Sequence, residues 1–386
     1  MAEALRERTT PPISRIVLPG TAMIAVTFGL ARYGYGLLLP DMQSHLRISA
    51  DVAGLISSSA YLAYLAANFL VVWLTVRLGP RWTLGAAAGL AAAGMTVIAV
   101  ADGPMLLATG VMVAGAAAGL AFPPYADIVD AEVPRVRRAL AWSTISSGTG
   151  WGVALAGPIA VVAGQNWRVA WLVFVALAIG VGFLAVLRTP SRRGIAGPSV
   201  KLNWSWFVCP RSGPLLASAV LVGLGSSVWW SFSVDAMREA GIATTWARIV
   251  YAVCGAASLL ASLSGSVFTR LGLRAGYRIG VVLLAVALLL LGAGTGQLAL
   301  VVIAAVLFGA SYAAVVAAQG LWSAEVFAER PSAGLAAINT ALTIGTIIGP
   351  ATAGLLVGQV GYPVVLLAAA ACCALGLTCA PARQAA

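Results

Sequence analysis

The chain of 386 residues is 61% hydrophobic and only 9% charged, against about 25% charged residues in a soluble globular domain. So little charge cannot keep a chain of this length in water, which excludes a soluble enzyme or soluble binding module. The net charge of +11 does not point to nucleic acid, because the basic residues stand in ones, twos and threes between apolar runs and form no stripe.

A helix needs about 20 apolar residues to cross a bilayer. Residues 16–39, interrupted only by Arg32, predict the first span; the N-terminal segment is too long for a signal peptide and lacks a small-residue cleavage site. Uncharged runs at 52–76, 82–101, 103–126, 139–167 and 169–187 predict spans two to six. Residues 189–213 predict a basic linker, with Arg192, Arg193 and Lys201 among prolines and glycines, then Trp204 and Trp206 suited to the headgroup level. Spans seven and eight follow at 212–234 and 249–269, and the runs 279–324 and 331–382 each hold two more. Their breaks are expected at Gly292-Ala-Gly-Thr-Gly-Gln297 and near Gly361-Tyr-Pro363, both strong turn signals. The expectation is an all-α integral membrane protein of twelve transmembrane helices.

Arginine and lysine placement sets orientation. With a cytoplasmic N-terminus, 18 basic residues fall on the cytoplasmic side and four (Arg47, Arg168, Arg238, Arg248) on the other, with Arg32 inside a helix. Both termini are therefore expected in the cytoplasm.

The chain repeats itself. Arg77-Leu-Gly-Pro-Arg81 recurs as Arg270-Leu-Gly-Leu-Arg274 and Ala131-Glu-Val133 as Ala324-Glu-Val326, both at an offset of 193. Gly157-Pro158 recurs as Gly349-Pro350 at 192, and Gly29-Leu30 with Asp41 as Gly223-Leu224 with Asp235 at 194. Four matches in the same order predict two pseudo-symmetric six-helix bundles, 1–188 and 214–386, joined by the linker 189–213.

These halves, the two Arg-Leu-Gly-x-Arg turns and the paired Gly-Pro sites resemble the major facilitator superfamily over essentially the whole chain. The segment Gly29-Leu-Ala-Arg-Tyr-Gly-Tyr-Gly-Leu-Leu-Leu-Pro-Asp-Met42 resembles its bacterial YbfB-type branch. The resemblance implies a central cavity opened alternately to either side, and gating roles for Arg77, Gly79, Arg81, Arg270, Gly272 and Arg274. The family's turn motif, Gly-x-x-x-Asp-Arg-x-Gly-Arg-Arg, is incomplete: Val76 and Thr269 stand where the acidic residue belongs. Glu132 and Glu325 are candidates to replace it by pairing with these arginines; ordinary solvated loop charges are the alternative. The arginine often tied to proton antiport on the fourth helix is absent, Gly110 and Val111 taking its likely positions.

An arginine inside the bilayer costs at least about 2.5 kcal/mol, so Arg32 is a functional candidate, with Tyr35 three positions on expected on its face. It would attract an anionic or acceptor-rich solute; the alternative is an arginine satisfying carbonyls or pairing with Asp41 or Asp235. Ser57, Tyr61, Tyr64 and Asn68 form one helical stripe; Tyr312, Gln319 and Ser323 form another, as do Asn339, Thr343 and Thr346. These groups line a substrate path or glue helices together. Tyr125, Trp229, Trp230 and Tyr251 add aromatic surface. Asp41 and Asp235 read as solvated or capping residues at helix ends. No carboxylate sits mid-membrane, so Asp127 is the candidate carrier if protons are coupled. The five cysteines show no metal spacing, and no phosphate loop is present, so no cofactor is implied.

The expected function is secondary transport of a small organic solute, anionic or acceptor-rich and partly apolar, by a monomer in contact with lipid. Export is favoured; uptake, uncoupled facilitation and a transporter-like receptor without turnover are the alternatives. An enzyme is not expected, since there is one histidine, His45, and no nucleophile paired with a base in the membrane.

Overall fold

The computed structural model describes residues 14–189, 209 and 211–382. Charge-free segments in lipid must satisfy their backbone groups internally, and here they do so as helices. The spans are α1 (Ser14–Leu46), α2 (Ala50–Leu78), α3 (Pro80–Ala99), α4 (Pro104–Glu132), α5 (Arg135–Ala163), α6 (Trp167–Arg188), α7 (Ser212–Glu239), α9 (Leu273–Ala293) and α10 (Leu298–Val326). Helix α8 runs over Thr244–Ser258 and continues through a 3-10 stretch, Leu259–Leu263, into Ser264–Leu271. The last long segment bends at Gly361, where φ is 76°, into α11 (331–360) and α12 (362–375). The described residues thus form twelve spanning helices and no strand. The expected linker, with its tryptophans, lies almost wholly outside the described residues.

Proline opens α3, α4 and α11, where its missing N–H has no intrahelical partner to lose. The repeat is visible in the backbone. Gly79 before α3 has φ 80° and ψ 163°, and Gly272 before α9 has φ 79° and ψ 157°. Both lie in the left-handed half of the map, where a side chain would be strained, so the same tight turn is made twice, 193 residues apart.

The two faces of the bundle differ in charge. One carries Arg77, Arg81, Arg135, Arg137, Arg138, Arg270, Arg274 and Arg330 at its turns; the opposite face has Arg47, Arg168, Arg238 and Arg248. The halves α1–α6 and α7–α12 meet through α1 with α7, α2 with α11, and α5 with α8. Toward the arginine-poor face these pairs touch through backbone: a Cβ on Gly36 would overlap the carbonyl oxygen of Trp230, and one on Gly54 that of Pro350. Toward the arginine-rich face α5 and α8 part. The α5 stripe through Gly157 and Gly150, buried against α8, continues one heptad on as exposed Ser143. On α8 the stripe through Gly255 and Ser258 continues as exposed Ser262 and Ser266. The α5–α8 seam is thus closed toward the arginine-poor face and loosens toward the other.

Candidate functional site

The site is set by an irregularity in α1. Regular helix stops at Ile24, and a π-helical stretch covers Ala25–Leu30. The Ala31 and Tyr33 N–H groups donate to the carbonyls of Val26 (2.8 Å) and Phe28 (3.0 Å), five residues back. Helix resumes at Gly34. Wider turns of this kind re-aim the side chains that follow. Here they bring Arg32, Phe28 and Tyr33 together against α2.

The Arg32 guanidinium carbon lies 4.1 Å from the ring centre of Tyr64, 4.5 Å from Tyr61, 5.4 Å from Phe28 and 5.7 Å from Tyr33. Such cation–π contacts are worth about 0.5–1 kcal/mol when exposed and more when desolvated. They do not replace hydrogen bonds. The Arg32 Nε is buried without a partner, and among the described residues no ion pair includes Arg32. The side chain remains partly exposed. The expected pairing with Asp41 or Asp235 is not found.

From this cation an aromatic wall crosses to the other half. Tyr33 stacks on Trp230 at 4.2 Å; Trp230 meets Tyr251, Phe308 and Tyr312 edge-on; Phe308 lies between the parallel faces of Trp229 and Tyr312. Three hydrogen bonds tie the halves around it. Tyr251 donates to the Tyr33 carbonyl at 2.9 Å, the Ser57 and Ser231 hydroxyls are hydrogen-bonded at 2.7 Å, and Tyr64 donates to Asn339 Oδ1 at 3.1 Å. Asn68, partly exposed, donates to the Tyr64 carbonyl one turn back.

Other expected site residues are placed elsewhere. Tyr35 does not share the face of Arg32: the break in α1 carries it outward, and its hydroxyl donates to the Ala53 carbonyl at 3.0 Å. Gln319 donates to Ser218 at 2.8 Å, Ser218 is 2.6 Å from the Tyr277 hydroxyl, and Tyr277 donates to the Gly376 carbonyl, a network inside the C-terminal half. Tyr125 is fully buried with its hydroxyl unpartnered. Thr343 bonds back to the Asn339 carbonyl of its own helix at 2.6 Å.

A second cluster seals the arginine-poor face, and it corrects the expectation for Asp41. This carboxylate is neither solvated nor a cap. It pairs with Arg248 at 2.8 Å and Arg238 at 3.4 Å, with only 11% of its side chain exposed. Arg248, at 3%, also donates to the carbonyls of Ala160 and Gly164 at 2.7 and 2.8 Å. One guanidinium on α8 therefore holds α1 and the end of α5, both in the other half. Asp235 accepts from Tyr362, and from Gln43 at 2.8 Å with the amide turned nitrogen-first.

At the arginine-rich face Arg77 lies over Trp73 at 4.3 Å, and Arg138 pairs with Asp130 at 3.1 Å. Gly272, Arg274, Arg278 and Glu325 line a cavity of about 400 Å³. Glu132 ends α4, and Asp127 is exposed in its penultimate turn.

Twelve apolar helices in two halves, closed at one face around a charged aromatic box, define a membrane transporter working by alternating access, not an enzyme. The family model for the Major Facilitator Superfamily matches residues 21–263, and the chain belongs to that superfamily. Among solved structures, a point mutant of the nucleoside transporter NupG is similar at a TM-score of 0.79 and 14% identity, covering 94% of this chain and 98% of its own. The D-xylose-proton symporter follows at 0.72 and 15%, covering 94% and 97%. A bacterial homolog of the human lysosomal transporter Spinster, in an inward-facing and unoccupied conformation, reaches 0.69 and 18%, covering 96% and 93%. No curated protein matches the sequence.

Proposed function

We propose that the chain carries small organic anions with a flat or apolar body across the membrane, the aromatic box receiving the body and Arg32 the charge. The observation that carries this reading is the Arg32 guanidinium, ringed by four aromatic side chains, with its Nε unpartnered and, among the described residues, no ion pair to a carboxylate. A cation this enclosed is costly until an anion or strong acceptor reaches it. Tyr61, Tyr64, Trp230, Tyr251 and Tyr312 form the walls, and Asn339 and Asn68 offer polar contacts beside them. Tyr35, Gln319 and Thr343 serve packing, Tyr125 packs beside Gly20 of α1, and Trp229 supports the wall by stacking on Phe308.

The arginine-rich face is cytoplasmic in this reading, by the charge asymmetry of the turns, so the α5–α8 seam loosens toward the cytoplasm, and the membrane is taken as a bacterial inner membrane. The α1 segment from Gly29 to Met42 supports placing the chain in the YbfB-type branch. Export is the proposed direction, with uptake or uncoupled passage as the alternative; Asp127, if protons are coupled, would carry them. Arg77, Arg81, Arg270 and Arg274 with Glu132 and Glu325 form the inner gate, a reading supported by Glu325 and Arg274 lining one cavity. Charge reversal at Glu132 then alters transport.

A thermal-shift screen tests the cargo class, since a ligand that binds the folded state raises its apparent stability. Aromatic and aliphatic carboxylates, nucleosides and organic amines are compared on purified wild type and Arg32→Ala. Carboxylates stabilise only the wild type if the proposal holds; equal stabilisation of both proteins by amines or neutral solutes overturns it.

A further inference from the structure

We infer that Tyr251 is the positioning residue for Arg32: its hydroxyl, held on the Tyr33 carbonyl, fixes the π-helical break of α1 where it aims the guanidinium into the box. The inference rests on the anion reading above and adds to it what keeps the site in shape.

The break leaves α1 with a weak point. The Ala31 and Tyr33 N–H groups reach back five residues, and where ordinary helix resumes the Leu37 N–H is 3.5 Å from the Tyr33 carbonyl. That is longer than the usual span of about 2.7–3.2 Å. Away from water, a carbonyl that its own helix serves poorly needs another donor. Tyr251 supplies it from the other half. Its hydroxyl is 2.9 Å from the Tyr33 carbonyl oxygen, with the Trp230 carbonyl of α7 as a second, longer acceptor at 3.3 Å. Tyr251 is 1% exposed, so water does not stand in for it.

Glycines pin the backbone on either side of the break. A Cβ on Gly29 would overlap Gly152 of α5, and one on Gly36 the Trp230 carbonyl. These contacts fix where α1 runs, but not at which residue between them its winding changes. The Tyr251 bond does, because it selects the Tyr33 carbonyl. If the wide turn moves by one residue, the side chains it carries rotate by about 100°. Arg32, the neighbour of Tyr33, then leaves the faces of Tyr61 and Tyr64. Arg248, three residues before Tyr251 on the same face of α8, holds Asp41 of α1. Helix α8 therefore grips α1 twice, at the gate and at the break. The Tyr251 ring, edge-on to Trp230 at 5.9 Å, plays no part in this hold: phenylalanine keeps the ring and loses only the donor.

The test compares purified full-length wild type, Tyr251→Phe and Tyr251→p-aminophenylalanine, the last restoring an N–H donor at the same reach. Each is titrated calorimetrically with p-aminohippurate, an aromatic carboxylate, and with its neutral carboxamide. Wild type should prefer the acid. Tyr251→Phe should cut that preference at least about fivefold, and p-aminophenylalanine should return it to within about twofold of wild type. Hydrogen exchange gives a readout without cargo: peptides within residues 25–37 should exchange at least about fivefold faster in Tyr251→Phe, with those of α4 and α9 unchanged. Wild-type acid preference or wild-type α1 exchange in Tyr251→Phe overturns the inference and leaves the anion reading standing. So does equal weakening of acid and amide, the mark of a general structural role, or loss of the preference in Tyr251→p-aminophenylalanine. No acid preference in wild type overturns the anion reading, and the inference falls with it.

Discussion

Replacing Arg248 by methionine removes three contacts that all cross between the halves: Asp41 at 2.8 Å, the Ala160 carbonyl at 2.7 Å and the Gly164 carbonyl at 2.8 Å. Methionine fills most of the space of the arginine stem, so packing is largely kept. Removing one partner of a buried ion pair costs about 3–5 kcal/mol. Asp41 retains Arg238 at 3.4 Å, itself 31% exposed, which argues for the lower end, about 3 kcal/mol. Because these contacts exist only while the arginine-poor face is shut, the cost falls on the closed state, and the closed-to-open ratio drops by about 150-fold. Spin labels on exposed Gln165 and Thr245, at the ends of α5 and α8 on that face, report the gate by electron–electron distance in a background without the native cysteines. Wild type should give one short distance, and Arg248→Met should add a longer population. Superimposable distributions would refute the latch.

Gly36→Ala places a methyl group against the Trp230 carbonyl. It should open the same gate and abolish transport while leaving the helix content by circular dichroism unchanged. Gln319→Leu breaks only the bond to Ser218; with interhelical hydrogen bonds in membranes worth about 1 kcal/mol, the thermal midpoint should fall by a few degrees with anion affinity unaltered. Tyr64→Phe keeps the ring over Arg32 and should retain anion binding in a thermal-shift titration. Tyr64→Ala removes the ring and should weaken binding by about 1–2 kcal/mol.

Much of the architecture is legible in the sequence because lipid leaves few choices. Charge-free runs become helices, Gly361 marks the last turn, and the repeated Arg-Leu-Gly turns give Gly79 and Gly272 the same backbone angles. Tyr61 and Tyr64 are found as a stripe because α2 is regular. Phe28 and Tyr33, which complete the ring around Arg32, are hidden by the π-helical stretch of α1, which no periodicity anticipates. Regular winding puts Tyr35 beside Arg32 and sends Tyr33 away, and the structure does the reverse. The glycines at 29, 34 and 36 are the one local sign that α1 is irregular there. Ser231 escapes because its partner Ser57 is distant in sequence, and Phe308 because the tryptophans it meets, Trp229 and Trp230, are too. Arg248 looks like a loop charge beside a predicted helix end, yet it lies inside α8 among apolar neighbours, the same signal that singles out Arg32. For Gln319, sequence alone leaves cavity lining and interhelical bonding equal, and only the position of Ser218 separates them.

The central claim is that the box recognises negative charge through Arg32. Isothermal titration of wild type and Arg32→Ala with p-aminohippurate and with its neutral carboxamide tests it most directly, because the two ligands differ only at the charged group. The account predicts that wild type binds the acid at least about tenfold more tightly than the amide, a difference of about 1.4 kcal/mol, and that Arg32→Ala binds the two alike. Equal binding of acid and amide by wild type, or a preference for the acid that survives in Arg32→Ala, would contradict it.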